Sequence, residues 1–210
     1  GYPVWDLANK DNFIKASLDS VNKIARATAG MKIGIILGFL DHAKHQRSYN
    51  TLGFIHRGKI AAKYYKRLLP NYDVFLEQVF FRPGEQSLTI PFKQFRLGLS
   101  ICEDLWDEPY EIKPLRDLHN QKADFVINIS ASPYYKGVAD KRDDLLKQHA
   151  AHYGFPILYV NQVGAQDELI FDGRSLMVDD KGHIIFRAPA FAEGVFYFEW
   201  QSNGQYPELK

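Results

Sequence analysis

The chain has 210 residues, 46% of them hydrophobic and 24% charged, a balance that suits a soluble globular protein with enough length to bury a substantial core. Its 26 Lys and Arg against 25 Asp and Glu leave a formal charge of +1, too little to draw a nucleic acid or an anionic membrane by bulk electrostatics. A single cysteine excludes an internal disulfide and fits a reducing, cytoplasmic compartment.

In chain order, "GYPVWDLANKDNF" carries neither the basic flank nor the apolar segment of a signal peptide. Phe13, Ile14, Leu18, Val21, Ile24 and Ala25 recur at helical spacing and predict a helix over 8–29, with Gly30 as its stop. "MKIGIILGF" reads as a buried strand, and its apolar run is far too short to span a membrane. "YNTLGFIHRGKIAAKYYK" predicts a hairpin turning at Arg57-Gly58. "LLPNYDVFLEQ" breaks the pattern as a loop. "SLTIPF" and "FRLGLSI" form a second strand pair, and the second of these runs into Cys102. "EPYEIKPLRDLHNQ" is a short, proline-interrupted helix, and "ADFVINIS" is another buried strand. "ADKRDDLLKQHAAHYG" predicts a helix closed by Gly154, with Leu145, Leu146, His149 and Tyr153 inward. "FPILYVNQV", "LIFDGRSLMV", "HIIFRAP" and "GVFYFEW" follow as strands, and the tail "QSNGQYPELK" reads as frayed. Strands alternating with helices, and no linker or repeat, argue for one α/β domain over 1–210.

The lone cysteine stands in "GLSICEDLW", where an apolar strand stops and two acids begin. A lone cysteine packs well as a small buried hydrophobe. The end of a strand in an α/β sheet is also where reactive groups reach a crevice, and free N–H groups in the following turn favour a thiolate or an oxyanion. Glu103 and Asp104 by themselves disfavour a thiolate, so an activated thiol needs a cation or base from elsewhere, and Lys66 is a candidate.

"GLSICEDLW" resembles the nucleophile segment of the nitrilase, or carbon–nitrogen hydrolase, superfamily, whose triad is Glu, Lys and Cys. "KRLLPNYDVFLE" resembles that superfamily's lysine segment with its trailing glutamate. Together with "NISASPYYKG" and "NQVGAQDELIFDG", these motifs resemble the glutaminase domain of glutamine-dependent NAD synthetases nearly end to end. The resemblance implies a four-layer α-β-β-α sandwich. It implies Cys102 as the nucleophile toward the glutamine carboxamide, Lys66 as the oxyanion-stabilising lysine and Glu77 as a second glutamate that organises the lysine. It further implies Tyr72, Glu103 and Ser132 as substrate contacts, Glu103 meeting the amino group. Without the flanking "LLPNY", Lys66 would read as a solvated member of the basic cluster "KYYKR".

Two departures bear on activity. The superfamily's triad glutamate lies upstream of the "GYP" segment, so the residues as given are expected to lack that base and the N-terminal strand–helix–strand, and to be catalytically crippled. The family's basic residue six positions after the aligned serine falls on Val138, leaving Lys136, Lys141 or Arg142 as substitutes and weakening the case for glutamine. The amidase reaction implies no cofactor. ATP, Mg²⁺ and deamido-NAD are implied only for a synthetase domain that these residues do not include. Glutamine, that synthetase domain and further copies of the chain are the implied partners.

Other chemistries find little support. No histidine pair has HExxH-like spacing, and His149 and His152 share a helix without a clamp, so no metal is expected. No G-x-S-x-G supports a serine triad, the glycines form no dinucleotide fingerprint, and "DELIFDG" lacks EF-hand spacing. Two competing functions remain from the residues: a free-standing amidase on another small amide, and a scaffold that has lost its chemistry.

Overall fold

The computed structural model describes residues 4–42 and 47–197. A 3-10 turn at Trp5–Asn9 leads into helix α1, Asp11–Ala27, which buries Ile14, Val21 and Ala25 along one stripe. The stripe, and not the exposed Lys15–Asp19 pair, holds the helix. A fully buried aliphatic side chain stabilises by about 1.5–3 kcal/mol, against about 0.2–1 for an exposed ion pair. Three antiparallel strands follow in the spatial order β1-β2-β3: β1 Gly34–Asp41, β2 Tyr49–His56 and β3 Lys59–Tyr65. The β2–β3 turn places Arg57 at φ 49° and Gly58 at φ 81°, the paired left-handed conformation of a two-residue hairpin. A side chain at Gly58 would also meet Ala29 Cβ at 2.8 Å, so the helix end packs on the turn.

A loop and the single-turn helix α2, Glu77–Phe80, connect to the hairpin β4 Leu88–Phe92 and β5 Phe95–Ile101. After a 3-10 turn at Cys102–Leu105 come α3 Pro114–Asn120, β6 Phe125–Ser130, α4 Val138–Tyr153 and β7 Ile157–Asn161. The short hairpin β8 Val163–Gln166 and β9 Leu169–Asp172 stands apart. β10 Leu176–Val178 and β11 Ile184–Arg187 complete a six-stranded sheet in the order β11-β10-β7-β6-β5-β4. Its centre, β5-β6-β7, is parallel because α3 and α4 carry the chain back, and its flanks are antiparallel hairpins.

Side-chain clusters define the layers. Val21 and Ala25 of α1 pack on Phe39 and Ile55 of the three-stranded sheet. The other face of that sheet, through Leu52, Phe54 and Tyr64, meets Leu97, Leu99, Ile101 and Met177 of the six-stranded sheet. The far face of the larger sheet, through Val126, Ile157, Tyr159 and Val178, is covered by Leu115 and Leu118 of α3 and Leu146 and Ala150 of α4. The sequence is therefore helix, sheet, sheet, helix, the expected α-β-β-α sandwich.

Three expectations need correction. "LIFDGRSLMV" is not one strand: Gly173 and Arg174 both take positive φ, ending β9 in the small hairpin before β10 joins the large sheet. The helix expected from residue 8 begins at Asp11, after the 3-10 turn. In "GVFYFEW" residues 194–197 form no strand, with Val195 and Tyr197 about three-quarters exposed, while residues 198–200 and the tail expected to fray lie outside the described residues.

Candidate active site

Strand β5 turns Leu97, Leu99 and Ile101 into the space between the sheets, then breaks at Cys102. Cys102 takes φ +41°, a left-handed conformation that costs a non-glycine residue of order 1–3 kcal/mol. The break is anchored by Asp104, whose Oδ2 accepts the Ile101 N–H at 2.9 Å. The cysteine stays partly exposed and faces a cavity of about 580 Å³ between α1 and the two sheets.

Lys66 follows β3 into the same cavity. Its backbone is pinned from two sides, N–H to Asn50 O at 2.9 Å and O to the Gly84 N–H at 2.8 Å. Its ammonium is buried, 1% exposed, and donates to Glu77 Oε1 at 2.7 Å. Glu77 opens α2, is also buried, and its Oε2 has no hydrogen-bond partner. Burial would pull the Lys66 ammonium down, but the facing Glu77, Cys102 and Asp104 overrule it and hold its pKa above the usual lysine range. Burial pushes the Cys102 thiol up to about 11, with Glu103 and Glu77 adding to the rise while Lys66 and Ser130 oppose it. At neutral pH the sulfur is therefore a protonated thiol beside a fixed ammonium.

Tyr72 and Glu103 are in contact, but neither lines this cavity. The Tyr72 hydroxyl donates to both Glu103 oxygens at 3.0 and 3.1 Å, and Tyr110 adds a third bond at 2.9 Å. Burial raises the Glu103 pKa, against the pull of Lys66, Tyr110 and Tyr72. Ser132 is also off the cavity wall. It accepts from Arg142 Nε at 3.2 Å, and its N–H bonds Asn161 Oδ1 at 2.9 Å, while Ser130 takes the place on the wall. The proposed substitutes for Val138 do not line the cavity: Lys136 is exposed, Lys141 lies over the Tyr135 ring, and Arg142 is buried on Asp172 at 2.6 Å. Among the described lining residues Lys66 is the cation and Glu77 the carboxylate.

Sequence reasoning passed over three groups. In sequence Asp104 is only an acid unfavourable to a thiolate, yet in the structure it accepts four hydrogen bonds. Ser130 and Tyr110 had no distinguishing pattern. Their contacts arise from tertiary packing, Ser130 from its register opposite Asn161 in the parallel β6–β7 pair. Among the described residues no three His, Cys, Asp or Glu side chains converge as a metal site, and no helix is long and apolar enough to cross a membrane.

A thiol, an ammonium and a carboxylate on one cavity, set between facing sheets clad in helices, define a nitrilase-superfamily sandwich. A profile of the carbon-nitrogen hydrolase family matches residues 1–205, and the chain belongs to that family. The glutamine-dependent NAD(+) synthetase of Synechocystis sp. is 36% identical over 219 residues, covering 98% of this chain and 39% of that protein. That of Thermotoga maritima is 35% identical, covering 93% of this chain and 33% of its own length. The structure of the glutamine-dependent NAD+ synthetase from Acinetobacter baumannii superposes with a TM-score of 0.86 at 31% identity, over 98% of this chain and 38% of that one. An amidase from Nesterenkonia sp. shares the fold, with a TM-score of 0.75 at 21% identity, covering 90% of this chain and 69% of that one. The chain thus spans between 33% and 39% of the synthetases compared.

Proposed function

We propose that this chain is the glutaminase part of a glutamine-dependent NAD synthetase and releases ammonia for amidation of deamido-NAD elsewhere in that protein. The observation that carries the reading is the Lys66–Glu77 pair at 2.7 Å on the cavity that also holds Cys102. Cys102 Sγ adds to the carboxamide carbon, and the carbonyl electron pair moves onto oxygen. The Lys66 ammonium, kept charged by Glu77, faces that oxyanion; one such donor is worth about 3–4 kcal/mol of barrier. The C–N bond then breaks, nitrogen leaves as ammonia with the proton taken from the thiol, and water hydrolyses the thioester to glutamate and free thiol. Because the resting thiol is neutral, a base must carry its proton. Glu77 holds Lys66 through Oε1, and the resemblance assigns that task to the superfamily's triad glutamate. Glu103, held by Tyr72 and Tyr110, is the group the resemblance assigns to the substrate ammonium, with Tyr72 and Ser132 as further substrate contacts. The ATP and Mg²⁺ of the amidation belong to the synthetase part. A cytoplasmic, homo-oligomeric protein completes the reading.

A second reading, an amidase for another small amide, is favoured by one observation. Val138 offers no charge to a substrate carboxylate, and Arg142 is already paired. The test is ammonia release in the intact protein, together with mass spectrometry of the thioester. Glutamine should add a glutamyl group to Cys102, Cys102→Ala should abolish both signals, and 6-diazo-5-oxo-norleucine should label the thiol. Turnover of simple amides but not glutamine selects the second reading; an inert Cys102 removes both.

A further inference from the structure

Asp104 is fully buried, and among the described residues it forms no ion pair; what surrounds it is four donors. Oδ1 accepts the backbone N–H groups of Arg67 at 3.2 Å and Leu68 at 3.0 Å, the two residues directly after Lys66. Oδ2 accepts the Ile101 N–H at 2.9 Å, the residue directly before Cys102, and the Tyr64 hydroxyl at 2.7 Å, two residues before Lys66. One carboxylate therefore ties the segment carrying the thiol to the segment carrying the ammonium, across two different sheets. Burial raises its pKa while the Tyr64, Ile101 and Leu68 donors and the Lys66 charge oppose that rise. A purely structural position would be filled more cheaply by an apolar side chain, since an ionised carboxylate loses its hydration on burial. What an apolar group cannot do is accept four convergent donors on two oxygens.

We infer that Asp104 is a positioning residue that sets the distance between the Cys102 sulfur and the Lys66 ammonium. The inference rests on the reading that these two groups do the chemistry. Its consequence is specific: loosening the clamp lets the 66–68 segment drift, so the oxyanion loses its donor and the thiol loses its facing charge. A misplacement of about 1 Å at such a site costs on the order of 10²-fold in rate.

The experiment uses the intact protein and two variants. Asp104→Asn keeps the shape but turns one acceptor into an NH₂ that opposes the Ile101 N–H. Tyr64→Phe removes one donor and leaves the carboxylate charge in place. Glutaminase kcat and KM are measured alongside the pH dependence of Cys102 alkylation by iodoacetamide, with folding checked by circular dichroism. The groups facing the thiol are Lys66, Glu77, Glu103, Tyr72 and Tyr159. Displacing Lys66 removes the cation among them, so the alkylation limb should move to higher pH in Asp104→Asn. Simple loss of a negative charge would move it lower. The expected result is a kcat about 10²-fold down for Asp104→Asn and several-fold down for Tyr64→Phe, KM little changed, with the limb moved upward. Wild-type kcat in folded variants, or a limb unmoved or moved downward, overturns the inference. If Asp104→Asn does not fold, Tyr64→Phe decides alone by its kcat. Failure of the underlying reading looks different: the parent protein itself would neither release ammonia nor alkylate at Cys102.

Discussion

Lys66 and Glu77 form an ion pair with side chains 1% and 3% exposed, so each charge depends on the other for its solvation. Removing one partner leaves a buried, uncompensated charge, and the cost is about 3–5 kcal/mol. Lys66→Met should therefore lower the urea midpoint steeply at unchanged slope. The double variant Lys66→Met, Glu77→Leu should recover the parent's stability or exceed it by about 1–4 kcal/mol, while remaining without activity. A single variant as stable as the parent would show that water in the cavity already solvates Glu77. This pair was legible in the sequence only through a motif, because a lysine in "KYYKR" and a glutamate in a loop look solvated by composition. Nothing local in "KYYKR" marks which of its lysines is buried: Lys63 ends up on Asp41 near the surface and Lys66 in the interior.

Between elements, the end of β3 and the loop at Gly84 position that lysine. Gly84 lies so close to the preceding strand that a Cβ would stand 2.1 Å from the Tyr65 carbonyl oxygen, a backbone atom that cannot rotate away. Its N–H also holds the Lys66 carbonyl at 2.8 Å. Gly84→Ala must push the β3 end aside, costing about 1–3 kcal/mol of stability and roughly 10²-fold in kcat. Gly30→Ala, at a site with open space, should stay within about 0.5 kcal/mol and keep full activity. Denaturant midpoints and ammonia release for both variants check this; equal behaviour of the two would disprove the close approach. At this scale the strands with strict patterning were readable, including the Arg57-Gly58 turn and the run of β5 into Cys102. The break inside "LIFDGRSLMV" was not. Its apolar residues stop at Phe171 and resume at Leu176, and the choice of sheet partners, β8 for one half and β7 for the other, sends the two halves to different sheets. Arg142 misled for a related reason, since its burial on Asp172 depends on a residue thirty positions away.

Across the whole molecule, the cavity lies where three layers meet. Phe13, Ser17 and Ser20 of α1 form one wall, Leu37 to Leu40 of β1 a second, and Ile129 to Ala131 of the large sheet a third. β1 pairs with β2 alone among the described strands, so one side of the smaller sheet opens toward this space. At about 580 Å³ the space far exceeds what a thiol and an ammonium need between them, and Glu77 is the sole carboxylate among its described lining residues. Burial pushes the thiol up to about 11, so at pH 7 it is protonated and unassisted attack is slow. Proton transfer by a positioned base contributes about 10²–10⁴-fold, and the carboxylate on the described cavity wall, Glu77, already holds Lys66 through Oε1. Alkylation of Cys102 by iodoacetamide should therefore rise with pH toward 11, because attack then waits on ionisation of the thiol itself. Labelling rates measured across pH 6–11, with folding checked by circular dichroism at each pH, test the claim. A plateau near neutrality would mean that a group on the cavity already takes the proton, with the unbonded Oε2 of Glu77 as the first place to look.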